Sequence, residues 1–277
     1  LCYNGEIYNY IELREALSRQ GQRFSTTSDT EVLASVLETR GTAGLDSCEG
    51  MWAFAWMDEH GLLLSRDRFG EKPLYIFEDP TGVYFGSEPK FIFALLGRRL
   101  PINFNHVYRY LVNGYKALYK TADTFFEGLR EVEPGTVVRF DQAVKRSESR
   151  YWQPAFDVQD ETMNFADAVA AARDALVESV RIRLRADVPI AFCLSGGVDS
   201  NALIAIAKRT LGYQVHGFTI MNTDARYEER DMVETTVTEL GLRHTAIPIE
   251  RADFLPNLRK LVSRPLKRLS RVHAWSE

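Results

Sequence analysis

The residues best suited to chemistry lie in the string Leu194-Ser195-Gly196-Gly197-Val198-Asp199-Ser200. Adjacent glycines let a backbone approach an anion closely and open positive φ to it. Backbone N–H groups then converge on the anion, aided by the dipole of a helix that begins at the same place. The hydroxyls of Ser195 and Ser200 add hydrogen bonds. Asp199 would repel a bare phosphate, so its presence implies an intervening Mg²⁺. The Gly-x₄-Gly-Lys-Ser/Thr pattern of ordinary phosphate-loop ATPases is absent. A tight turn and a capped helix would account for Ser-Gly-Gly alone. The full string between a strand and a helix favours phosphate binding.

The elements around this string have a clear period. Phe165, Val169, Ala172, Leu176 and Val180 fall on one helix face. Pro189 to Leu194 is a short apolar run, expected as a strand buried on both sides. Leu203, Ala207 and Thr210 stripe the next helix. Val215–Ile220 and Thr245–Ile249 read as strands, with a helix over Met232–Leu240 between them. Alternating strands and helices predict a doubly wound parallel sheet, with ligands beyond the carboxyl ends of its strands.

The first half reads differently. Tyr10, Leu13, Arg14 and Leu17 predict a helix stopped by Gly21. Ser28 or Asp29 caps a second helix, with Glu31 in its first turn and Val32, Leu33, Val36 and Leu37 on its apolar face. Met51–Met57 and Leu62–Leu64 are strands across the turn Asp58–Gly61, and Trp52, Phe54 and Trp56 read as core. Leu74–Phe77 and Val83–Phe85 pair across Asp79–Gly82. A helix over Asn103–Leu111 and a strand over Val137–Phe140 follow. Tight turns between short strands predict an antiparallel sheet in a layered α+β domain. The polar stretch Asp141–Asp160 holds the expected boundary, giving domains over 1–150 and 151–277.

Composition narrows the function. The 277 residues are 45% hydrophobic and 26% charged, with a net charge of −4, which disfavours a general polyanion binder. The basic cluster Arg259, Lys260, Arg264, Lys267, Arg268 and Arg271 reads as a solvated face. No apolar run approaches the roughly 18 residues of a membrane span. No signal peptide is apparent. Cys2, Cys48 and Cys193 lack zinc-type spacing and fit a reduced, cytoplasmic protein.

The phosphate-loop string resembles the SGGxDS loop of the N-type ATP pyrophosphatases. Tyr3-Asn4-Gly5-Glu6-Ile7-Tyr8-Asn9 resembles the NGEIYN segment of class II glutamine amidotransferases, and Ser28-Asp29-Thr30-Glu31 their SDTE segment. Arg66–Tyr75 resembles a family string ending in KPLYY, and Phe125-Phe126-Glu127-Gly128 with Pro134-Gly135 also fits. Together, in this order, they are similar to the asparagine synthetase B family. The resemblance implies an α+β antiparallel sandwich of the Ntn-hydrolase type, then a PP-loop ATP pyrophosphatase sheet. It implies glutamine-dependent, ATP-consuming amide synthesis, with ATP and Mg²⁺ as cofactors and aspartate as the expected acceptor. It admits a homodimer.

The resemblance also distributes roles. Asn4 and the Gly5 N–H become oxyanion donors, and Glu6 and Asp29 hold the ends of glutamine. Asn4-Gly5 alone would read as a hairpin turn. Leu194 and Ile220 flank the adenine, with sheet core as their other reading. Ser195, Gly196, Gly197, Asp199 and Ser200 hold the pyrophosphate, and Asp199 holds Mg²⁺. Glu228 and Glu229 stand where the family often has acidic residues, or begin a solvated helix. Arg66 and Lys72 are expected to pair structurally with Asp67 and Glu71.

The chain departs from the family in three places. The family nucleophile lies upstream of NGE, whereas only Leu1 precedes Cys2 here, so the chain as written is expected not to hydrolyse glutamine. The later SGxGxDE loop is not reached. The tail from Arg264 lacks the acidic-Pro pattern. Both ends are therefore expected to be truncated. The alternatives are a paralogue acting on another carboxylate, such as a sugar acid, and a non-catalytic nucleotide-binding fragment.

Overall fold

Apolar residues on alternating sides of each strand dictate layers in the first half of the chain. A computed structural model describes residues 1–115, 118, 120–156, 162–221, 229–248, 252 and 254–263. The expectations for Glu228, Ile249 and the tail from Arg264 lie outside the described residues, as does the end of the boundary stretch, 157–160. The chain forms two compact units, Leu1–Val158 and Gln159–Glu277.

In the first unit, β1 (Cys2–Ile7), β2 (Gly50–Asp58), β3 (Gly61–Arg66), β7 (Thr136–Phe140) and β8 (Arg146–Arg150) form an antiparallel sheet in that spatial order. A second antiparallel sheet runs β5 (Gly82–Gly86), β4 (Tyr75–Asp79), β6 (Arg130–Glu131). Trp52, Phe54, Leu63 and Val137 pack with Leu13 and Leu17 of α1 (Tyr10–Arg19) and Val32, Leu33 and Val36 of α2 (Asp29–Arg40). Their neighbours Ala53, Ala55, Leu64, Val138 and Phe140 face the other way, onto Ile76, Val83 and Phe85 of the second sheet. Phe77 and Tyr84 then pack outward on Ile92 of α3 (Pro89–Leu96). The result is helix, sheet, sheet, helix. α4 (Phe104–Asn113) follows, one residue later than expected, because Asn103 serves as its N-cap and accepts His106 N–H.

Two strands were not expected, the two-residue β6 and the longer β8. β8 reads Arg-Ser-Glu-Ser-Arg and is mostly exposed. Edge position removes the apolar alternation by which strands are recognised. Its arginines reach Glu78 and Glu133, each at 2.8 Å.

In the second unit, β9 (Ala191–Cys193), β10 (His216–Met221) and β11 (Arg243–Pro248) form a parallel sheet in sequential order. α5 (Phe165–Arg183), α6 (Val198–Ala205) and α7 (Arg230–Leu240) contribute Val180, Ile204 and Val233 to one core. A π turn (Ile206–Thr210) extends α6 and buries Ala207. Last comes α8 (Phe254–Ser263).

The winding among the described residues runs one way, with these helices sharing a single core. β9 is correspondingly not buried on both sides, because Ala191 and Cys193 are exposed. The predicted apolar face of α5 is covered only near its end. Val180 is buried, whereas Phe165 is 85% exposed.

Candidate functional site

At the start of the chain, β1 carries Asn4, Gly5 and Glu6 along the outer edge of the large sheet. The direction of each N–H follows from its neighbours. Tyr8 N–H turns inward to Glu49 O at 2.7 Å, and Ile7 N–H turns outward to Asp29 Oδ2 at 2.9 Å. Alternation along the strand therefore aims the Gly5 N–H outward too, onto the open edge. Opposite it, Trp52 sends its own N–H away from β1, to Asp67 Oδ2 at 3.1 Å. Gly5 and Trp52 thus form a narrow, non-hydrogen-bonded pair. A Cβ on Gly5 would lie 2.2 Å from Met51 O and 2.8 Å from Trp52 Cα. Both atoms are backbone and cannot turn aside. Gly5→Ala is expected to cost about 1–3 kcal/mol by overpacking, read as a lower urea midpoint. Unchanged stability would show that β1 does not sit this close to β2.

Asn4 donates Nδ2 to Ser87 Oγ at 3.0 Å, which fixes the amide and leaves its second N–H for another acceptor. Ser87 was not singled out in the sequence, since nothing in Gly86-Ser87-Glu88 marks it. Beside them lies a largely apolar cavity of about 500 Å³, lined by residues including Cys2, Asn4, Phe85, Ser87 and Phe91. Glu6 is exposed on the same strand.

Asp29 reaches the edge of β1 from the first turn of α2. Its Oδ2 accepts Tyr3 Oη and Ile7 N–H, both at 2.9 Å. Burial, then the Asp29 charge, pushes the Tyr3 phenol up, so it stays a proton donor to that carboxylate. Ser28 caps α2 by accepting Thr30 N–H at 3.1 Å. Glu31 folds back onto the N–H and hydroxyl groups of Ser25 and Thr26, which hold its carboxyl down at about 2. Asn4, Gly5, Glu6 and Asp29 are thus brought to one strand edge.

Arg66 is structural, with partners other than those expected. It donates to Lys72 O, Val132 O and Gly70 O at 2.7–2.8 Å and pairs with Glu131 at 3.0 Å. Asp67, fully buried, spends its carboxylate on the N–H groups of Trp52, Phe69, Glu71 and Lys72.

In the second unit the loop 194–197 sits between β9 and α6, and residues 198–200 of the string open the helix. Ser195 Oγ and Ser200 Oγ are 2.9 Å apart, and Gly197 N–H donates to Ser195 Oγ at 3.2 Å. Asn201, which the sequence reading passed over, donates Nδ2 to Ser195 O at 3.0 Å and Gly197 O at 2.7 Å. Its own oxygen accepts the Thr236 hydroxyl at 2.7 Å. The glycines do not use positive φ: Gly197 has φ −73° and ψ 150° as the N-cap of α6. A Cβ on Gly196 would meet Met232 Sδ at 2.7 Å, near the end of a flexible, exposed side chain, because α7 packs against the loop.

Leu194 is buried in the core, its N–H bonded to Phe218 O and its carbonyl accepting the buried Thr219 hydroxyl at 2.7 Å. Ile220 is 65% exposed. Of the two expected adenine neighbours, only Ile220 presents its side chain. Asp199 lies in the first turn of α6. No group of three or more His, Cys, Asp or Glu side chains able to hold a metal occurs among the described residues. No helix among the described residues is long and apolar enough to cross a membrane.

Comparison with known proteins bears on both units. A family model described as a glutamine amidotransferase domain matches residues 1–152, and one described as asparagine synthase matches residues 171–267. The asparagine synthetase [glutamine-hydrolyzing] 1 of Bacillus subtilis is 32% identical over 95% of this chain and 41% of its own length. A putative asparagine synthetase [glutamine-hydrolyzing] of Mycobacterium tuberculosis is 33% identical, with the same coverages. Asparagine synthetase [glutamine-hydrolyzing] 3 of Bacillus subtilis is 31% identical over 95% of this chain and 44% of its own length. The chain spans less than half the length of these relatives.

Proposed function

The chain belongs to the glutamine amidotransferase domain family, and from that premise we propose that it is part of a glutamine-dependent synthetase that consumes ATP to make an amide. Its first domain, over 1–150, takes the Ntn-hydrolase role. Its second, over 151–277, takes that of a PP-loop ATP pyrophosphatase. The observation that carries this reading is a phosphate-type loop following a parallel strand, in the same chain as a strand edge bearing Asn4 and Gly5 to which Asp29 of α2 is bonded. The relatives, named for asparagine synthesis from glutamine, support aspartate as acceptor.

In this reading the Gly5 N–H and the second Asn4 N–H receive the oxyanion formed when glutamine is attacked. Glu6 and Asp29 hold the amino-acid end of glutamine. The aspartate side-chain carboxylate attacks the α-phosphorus of ATP, and pyrophosphate leaves. Ammonia from glutamine then attacks the acyl carbon, and AMP leaves as the amide forms. The loop N–H groups with Ser195 and Ser200 bind the departing pyrophosphate, and Ile220 borders the adenine. Mg²⁺ beside Asp199 would neutralise phosphate charge. Shielding the ammonia from water keeps it unprotonated and nucleophilic.

The test uses the longer protein that contains this chain, supplied with ATP, Mg²⁺, glutamine and aspartate. Asparagine, AMP, pyrophosphate and glutamate are expected in equal amounts. ADP and phosphate in place of AMP would refute the reading. Equal turnover of a sugar acid would replace aspartate as the acceptor.

A further inference from the structure

We propose that Glu229 is the chain's own occupant of the phosphate loop, an internal carboxylate that incoming pyrophosphate must displace. The inference rests on the reading of the loop given above. Gly196 N–H, one of the donors an anion would use, donates instead to Glu229 Oε2 at 2.8 Å.

Glu229 stands at the N-cap of α7, where a shorter Asp or Ser side chain would accept an N–H of its own helix. It makes no such bond. Its carboxylate crosses to a loop 33 positions earlier in the chain. Close packing of α7 on the loop makes this reach short, since a Cβ on Gly196 would lie 3.3 Å from Glu229 Cβ.

The loop does not depend on this bond for its shape. Asn201 ties the carbonyls of Ser195 and Gly197 together, Thr236 holds Asn201, and the serine hydroxyls bond each other. Glu229 can therefore leave without the loop collapsing. A phosphate oxygen and a carboxylate cannot both take the Gly196 N–H, and side by side the two anions repel. Glu229 thus lowers the affinity of the loop for phosphates and hastens their release.

The experiment is calorimetric titration of the 277-residue chain with inorganic pyrophosphate, with and without Mg²⁺. Glu229→Gln keeps the shape and removes the charge. It is expected to tighten binding about tenfold, the scale of one charge-assisted hydrogen bond. Asp231→Asn makes the same charge change two residues further along α7, about half a turn round the helix and bonded to no loop donor, and is expected to leave binding unchanged. Equal affinity in Glu229→Gln and the parent chain would overturn the inference, as would equal tightening by Asp231→Asn. Weaker binding confined to Mg²⁺ would make Glu229 a cation ligand instead. If neither parent nor variant binds pyrophosphate, the phosphate-loop reading itself fails, and the inference with it.

Discussion

Replacing Asp199 by Ala in the longer protein is expected to lower AMP formation by about 10²–10³-fold, the effect of losing several kcal/mol of charge stabilisation on a transferring phosphoryl group. Glutamine hydrolysis is expected to continue, because its groups lie in the other unit. Asp199 sits in the first turn of α6, directly after the loop. A carboxylate there opposes bare phosphate, so its presence makes sense only with a cation between the two. Asp199→Asn, equal in size, is expected to lose nearly as much, since an amide oxygen is a poor Mg²⁺ ligand. The measurement is AMP release at saturating ATP over a range of Mg²⁺. A rate unchanged in either variant would remove Asp199 from the metal site and leave it a solvated helix-start residue.

The largest expected effect on stability is that of Asp67→Ala, about 3–5 kcal/mol. The buried carboxylate accepts the N–H groups of Trp52, Phe69, Glu71 and Lys72, and its backbone N–H donates to Trp52 O at 2.9 Å. Its carbonyl accepts the N–H groups of Gly70 and Gly135. One residue thus joins β2, the end of β3 and two loops. Alanine would strand several buried donors at once. Thermal unfolding should shift down by roughly 10 °C, taking 2–4 °C per kcal/mol for a unit of this size. Asp67→Asn should rescue little, because its amide group turns N–H toward N–H. A loss under about 1 kcal/mol would mean that water reaches these donors.

Much of this was legible because local rules agreed with tertiary demands. Ser28 capped α2 where a serine followed by acidic residues says it should, and Val32, Leu33 and Val36 reached the core at helical spacing. The strand, loop and helix around Ser195 were equally plain, since glycines between an apolar run and a striped helix leave little choice. What escaped notice depended on partners far away in the chain. Arg66 next to Asp67 suggested a local ion pair, yet three carbonyls and Glu131 satisfy the arginine while backbone donors claim the aspartate. Side-chain charge was visible, but the buried N–H groups needing an acceptor were not. Gly196 and Gly197 suggested positive φ, yet neither adopts it, and Gly196 is instead crowded by the side chain of Met232. Asn201 and Ser87 were overlooked because single polar residues carry no period. The bare face of α5 shows the reverse limit: a pattern states which side is apolar, not what covers it.

The two margins of the five-stranded sheet differ in a way that bears on self-association. Along β8, Arg146, Glu148 and Arg150 put three charges on five residues, and a second chain docking there would have to strip them of water. Along β1, Glu6 is the one charged side chain, so the margin that carries Asn4 and Gly5 lacks that protection.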